Sequence, residues 1–81
     1  MTQVVPINQV IPFSDSSRYF IEKMKQVLLR QGQIEPLQVY ALAEDNFTCF
    51  VNDAHASDIV FAARELGWPT LLVDIRAAYE L

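Results

Sequence analysis

The chain is short of the residues that staple, hinge and ligate. Cys49 is the only cysteine among 81 residues, so neither an intrachain disulfide nor a cysteine metal cluster can form. Two glycines and four prolines leave no segment with the composition of a flexible linker. Basic residues are scarce, six Lys and Arg against ten Asp and Glu, for a net charge of −4. A domain that grips DNA by its backbone carries a basic face, so the whole chain reads as a poor unaided DNA binder. There is no apolar run of the ~20 residues that would span a bilayer. Met1 to Pro12 lacks the basic-then-apolar order of a signal peptide. These absences point to a cytoplasmic, reducing setting without membrane contact. No repeat or low-complexity tract is present.

What the chain does contain is ordinary for a globular domain: 52% hydrophobic and 20% charged residues. Its length suits a single domain over residues 1–81, with a core of little margin.

Val4 to Val10 reads as one short edge strand or arm, because Pro6 and Pro12 lack the amide a central strand needs. Ser14, Asp15, Ser16 and Ser17 form a cap-rich cluster before a helix that runs to Arg30 or Gln31. Phe20, Met24, Val27 and Leu28 make its apolar stripe, and Gly32 its stop. Leu37, Val39, Ala41 and Ala43 alternate as a strand, Glu44-Asp45-Asn46 turns, and Phe47, Cys49 and Val51 return. The returning strand is apolar on both faces and should be central, with Cys49 turned inward as an inert small hydrophobe. Ser57 or Asp58 is expected to cap a second helix ending at Gly67, with Ile59, Ala62, Ala63 and Leu66 on one face. Trp68 either covers the end of the sheet or anchors a partner. Thr70 to Ile75 suits a buried strand, and Arg76 to Leu81 a closing helical turn.

Two stretches carry a resemblance. Gln31-Gly32-Gln33-x-x-Pro36-Leu37 joins first helix to strand, and Asn52-Asp53-Ala54-His55-Ala56-Ser57-Asp58 joins strand to second helix. With the opening Val5-Pro6-Ile7, this order resembles the small domain shared by ParB-type partition proteins and sulfiredoxins. The resemblance implies an α/β (α+β) fold, a small mixed β-sheet packed with helices. It also implies a phosphate-holding loop at Asp53 to Ser57, for CTP or ATP with Mg²⁺. On that basis Gln33, Asp53, Ala54, His55 and Ser57 are the expected nucleotide-binding residues. The loop departs from the family pattern: Ala54 stands where it has glycine, and Ala56 and Ser57 where it has basic residues. Sulfiredoxins carry their reactive cysteine directly before a His-Arg pair, and Ala54 in that place argues against their activity.

Read without the resemblance, a strand-to-helix junction is a ready anion site. Phosphate prefers arginine's planar fork, and this junction holds Asp53 and Asp58 instead. His55, the only histidine, is the one candidate general base. Asp53 and Asp58, with His55, are the candidate ligands of a hard divalent cation in a metal-dependent nuclease or nucleotide hydrolase. Equally, Asp53, Ser57 and Asp58 can do no more than cap the helix, and Gln33 can belong to a helix stop. Lys23, Lys25 and Arg30 are either a solvated face or a contact for nucleic acid. Two functions follow: a ParB-like domain that binds nucleotide or nucleic acid in DNA segregation or processing, or a non-catalytic interaction module that kept the fold and lost the site. The second takes a protein partner or forms a homodimer.

Overall fold

A computed structural model describes residues 2–43, 45–49 and 53–76. Its elements are β1 (Thr2–Pro6), a 3-10 turn (Ile7–Gln9), β2 (Val10–Ile11), α1 (Arg18–Gln31), β3 (Leu37–Ala43), β4 (Asn46–Cys49), α2 (Ala54–Glu65) and β5 (Thr70–Arg76). The strands form one mixed sheet in the order β1-β5-β3-β4-β2. β3 runs antiparallel to β4 and parallel to β5, β1 antiparallel to β5, and β2 parallel to β4. This is the α+β arrangement expected of the chain.

The interior strands follow from their pattern. Leu37 and Val39 on β3, Phe47 and Cys49 on β4, and Leu71 and Val73 on β5 all point inward and are buried. Ile21 and Leu28 of α1 and Ala56, Val60, Ala62 and Ala63 of α2 close the same core. β4 lies between β3 and β2, as its two apolar faces suggested. Val51 of the predicted returning strand and residues 77–81 of the predicted closing turn lie outside the described residues, and Arg76 ends β5.

Three expectations need correction. First, Val4 to Val10 is not one strand. It is split by the 3-10 turn, and its halves pair at opposite edges of the sheet, β1 on β5 and β2 on β4. The Ile7 amide donates to the Pro69 carbonyl (3.0 Å), and the Arg64 guanidinium donates to the Val10 carbonyl (2.7 Å), so the crossing is tied at both ends. Second, α2 begins four to five residues early. Asp53 is its cap, with Oδ1 accepting from the Ala56 amide at 3.2 Å. Three residues of capping type compete here, and Asp53 wins because Ser57 is drawn into the core. Third, α1 carries two adjacent apolar stripes. Ile21 and Leu28 face the core, while Phe20 is 52% exposed.

The ends of both helices are as expected. The Ser17 hydroxyl accepts from the Phe20 amide (3.3 Å), and Gly32, at φ 70°, closes α1. α2 ends in a Schellman arrangement: Gly67 donates to Arg64 O (3.1 Å) and Trp68 to Ala63 O (3.0 Å). Gly67 sits at φ 78°, where a side chain would be strained. Trp68 is half-buried and packs on the core.

Candidate functional site

The leader of α1 and the first turns of α2 enclose a cleft of about 330 Å³, lined by Ser14, Asp15, Ser16, Ser17, Phe20, His55 and Asp58. It lies at the strand-to-helix junction that the sequence singled out. The leader is held there by Ser57. This residue is 1% exposed, and its Oγ accepts from the amides of Phe13 (3.0 Å) and Ser14 (3.4 Å). That hydroxyl ties the leader to α2 through both amides. Of the residues expected in a phosphate loop, Asp53 caps α2 and Ala54 to Ser57 form its first turn, and Ser57 serves the protein's own backbone.

Gln33 is used in the same way. Its Nε2 donates to the Leu72 carbonyl (2.7 Å) and its Oε1 accepts from the Leu72 amide (2.8 Å). Nε2 also donates to the Glu35 carbonyl (3.1 Å). β3 starts only at Leu37, opposite Val73. The Gln33 side chain thus stands in for one missing rung of the β3–β5 ladder. It does not line the cleft with His55.

His55 does line the cleft, with its side chain 80% exposed, and its Nδ1 lies 4.0 Å from Asp58 Oδ2. Asp58 is 8% exposed and opens on the same cleft. Ala54 is the first residue of α2, and Asp53 is engaged as its cap. Among the described residues, which include Asp53, His55 and Asp58, no three His, Cys, Asp or Glu side chains come together as a metal site. The sequence reading missed Phe20 and Asp15 as cleft residues. The cap-rich run Ser14 to Ser17 was the signal, but it was legible only as a helix start.

The cations lie elsewhere. Arg18 donates to Glu65 (2.6 Å) and Glu22 (3.1 Å), and Lys25 to Glu22 (3.2 Å) and Glu65 (3.3 Å). Hydrogen bonding to Glu65 above all holds the Arg18 guanidinium above its usual range, and the bond from Arg18 holds the Glu65 carboxyl below its own. These pairs are exposed and add little stability, but they occupy the cations. Lys23 lies over the Tyr19 ring at 5.0 Å. Among the described residues no Lys or Arg lines the cleft.

Cys49 sits under the start of α2, fully buried, and burial pushes its thiol up to about 11 despite a hydrogen bond from the Phe13 backbone. The sign of the pH effect follows. A folded value above the unfolded one means that the unfolded chain loses its proton first. The thiol's contribution to stability is intact below the unfolded value near 9.0 and is lost as pH rises towards 11. Urea midpoints measured at pH 8 and pH 10.5 should therefore fall further for the natural chain than for Cys49→Ala. The native thiol should also stay unreactive to an alkylating agent at pH 8 until the chain unfolds.

No protein-family model matches the chain, and no curated protein matches its sequence. Solved structures do match in shape. Sulfiredoxin from Arabidopsis thaliana superposes with a TM-score of 0.73 at 16% identity, over 95% of this chain and 85% of that one. The C-terminally truncated chromosome-partitioning protein ParB from Caulobacter crescentus, complexed with CTP-gamma-S, gives 0.76 at 13% identity, over 99% of this chain and 46% of that one. SbnI from Staphylococcus aureus, with a C-terminal truncation, gives 0.70 at 15% identity, over 98% of this chain and 31% of that one. This chain thus spans less than half of the ParB and SbnI chains. Among the described residues no helix is long and apolar enough to cross a membrane. The chain has the ParB/sulfiredoxin-like fold.

Proposed function

We propose that this chain is a non-catalytic ParB-like binding domain that works through protein contact. One observation carries the reading: the cleft at the junction where the resemblance expects a phosphate is lined by Asp15, Asp58, three serines, Phe20 and His55, with no Lys or Arg among the described residues. Carboxylates oppose a phosphate chain, whereas an acidic cleft with an aromatic wall suits a cationic group from another protein. The hydroxyl and amide that could have served a ligand, on Ser57 and Gln33, are engaged with backbone.

A second reading, nucleotide binding, is favoured by a different observation. Both helices begin at this cleft, and helix N-termini attract anions. The ParB neighbour was solved with a CTP analogue. By analogy the ligand would be CTP or ATP with Mg²⁺.

Thermal unfolding separates the two. CTP, ATP and GTP at millimolar concentration, with and without magnesium, should leave the midpoint unchanged. A ligand at a hundred times its Kd adds about 2.7 kcal/mol, which is a rise of more than about 10 °C in a domain of this size. A magnesium-dependent rise that disappears in His55→Ala would establish the second reading instead. His55 is exposed enough for that substitution to spare the fold.

A further inference from the structure

We infer that the cleft between the leader of α1 and the start of α2 takes the guanidinium of an arginine side chain presented by another protein, with Asp58 as its anchor. The inference rests on the protein-contact reading above and names the group that the partner inserts.

Asp58 is the residue that lacks a partner. It is 8% exposed, and no described residue gives its carboxylate a hydrogen bond. His55 Nδ1 stands 4.0 Å from it, too far for one. Among the described residues no polar side-chain atom is sealed in the interior without a bond, so the Asp58 oxygens reach the surface, and that surface is the cleft. The neighbouring polar groups are spent differently. Asp53 caps α2, Ser57 holds the Phe13 and Ser14 amides, and Ser17 caps α1. A carboxylate withdrawn this far from water without a bonding partner is costly to the fold. A cation that enters the cleft supplies the partner.

The sign of the local charge follows from magnitudes. α1 and α2 each begin at the cleft, and each N-terminus counts as roughly half a positive charge. Asp15 and Asp58 bring two full negative charges, and Asp53 lies at the cap of α2. The balance is negative. The cation nearest the leader in sequence, Arg18, does not restore it, because Glu65 and Glu22 hold it.

The rest of the lining suits arginine better than lysine. A guanidinium can donate two parallel bonds to one carboxylate while its face lies on an aromatic ring, whereas an ammonium is a compact, strongly hydrated point charge. Phe20 supplies the ring. It is half-exposed and braced edge-on by Tyr19, with centroids 5.3 Å apart. Among the described residues no cation covers it, while Lys23 covers Tyr19. At about 330 Å³ the cleft is at the small end for a ligand pocket and has room for one side chain. A free amino acid would bring its own carboxylate into a cleft that is already negative, whereas an arginine within a peptide chain brings none.

Two-dimensional proton–nitrogen NMR of the natural chain, titrated with Nα-acetyl-arginine amide at constant ionic strength, tests this. The amides of Ser14 to Phe20 and of His55 to Asp58 should shift saturably, with a dissociation constant of about 1–10 mM for so small a ligand. Nα-acetyl-lysine amide should bind about fivefold more weakly or worse. Asp58→Asn should weaken the arginine probe about tenfold or more. It should do so without lowering the thermal midpoint, since it removes an unpaired carboxylate, whereas a purely structural Asp58 would give a lower midpoint. Phe20→Leu, at a half-exposed site, should bring the two probes level. An arginine response that survives Asp58→Asn overturns the proposal. Equal, Asp58-dependent binding of both probes overturns the choice of guanidinium and leaves the protein-contact reading in place. Free arginine binding more tightly than its capped form overturns the protein source. No saturable shift with either probe at tens of millimolar, and no nucleotide response, removes this inference alone. The same silence with a magnesium-dependent nucleotide response sinks the protein-contact reading as well.

Discussion

Phe47→Ala should come close to unfolding the protein, with a loss of about 3–5 kcal/mol. An 81-residue domain holds only about 4–12 kcal/mol in total. Phe47 is 4% exposed on β4, between Ala41 of β3 and Val10 of β2. Truncating the ring removes apolar contact and leaves a cavity that the flanking strands cannot collapse to fill. The damage also reaches the cleft. β2 is two residues long and pairs with β4 alone, and it leads directly into Phe13 and Ser14, whose amides rest on Ser57. Urea titration followed by circular dichroism measures the loss. Phe20→Ala is the control, since it makes the same chemical change at a half-exposed site, and it should cost far less in dilute protein. Equal costs for the two would mean that the core is not where the burial places it.

Gln33→Ala should be the second most costly of the changes considered, by about 1–3 kcal/mol. It contributes no apolar burial of note. Its cost comes from the Leu72 amide and carbonyl, which lose the side chain that completes their ladder. Gln33→Glu should be no better, because a carboxylate can accept from the amide but cannot donate to the carbonyl, and it repels that oxygen. Hydrogen exchange at the Leu72 amide reads the effect locally and should speed up in both variants. If exchange there is unchanged and only a nucleotide response is altered, Gln33 belongs to a ligand and not to the sheet.

The parts of this protein that could be read from its residues are those set by local pattern. α1, its start within the Ser14 to Ser17 cluster and its stop at Gly32, the alternation of β3 and β4, and the inward Cys49 follow from cap chemistry and two periodicities. What could not be read depends on partners distant in the chain. No local signal says that Val5 pairs with Leu71 while Val10, five positions on, pairs with Phe47 across the sheet. Asp53, Ser57 and Asp58 are all capping residues, and only the position of Phe13 decides which of them is pulled inside. On α1 the two apolar stripes are equivalent in the sequence, and packing against α2 selects Ile21 and Leu28. The resemblance pointed to the strand-to-helix junction where the cleft lies. It did not foresee that Gln33 and Ser57 would be engaged with the chain's own backbone, because a side chain that repairs a ladder looks the same in sequence as one that awaits a ligand.

The split opening segment has a consequence for how the domain is made. During synthesis β1 and β2 leave the ribosome before the other described strands, yet among the described residues β1 pairs with β5, about seventy residues later, and β2 with β4, roughly forty later, so both closures are non-local and slow. The β2 edge waits for β4, and the β1 edge for β5, the last of the described strands. Until then the nascent chain holds an uncharged strand, Thr2–Pro6, with unmet backbone groups. Of the described strands, β1 is thus the first made and the last to find its neighbour.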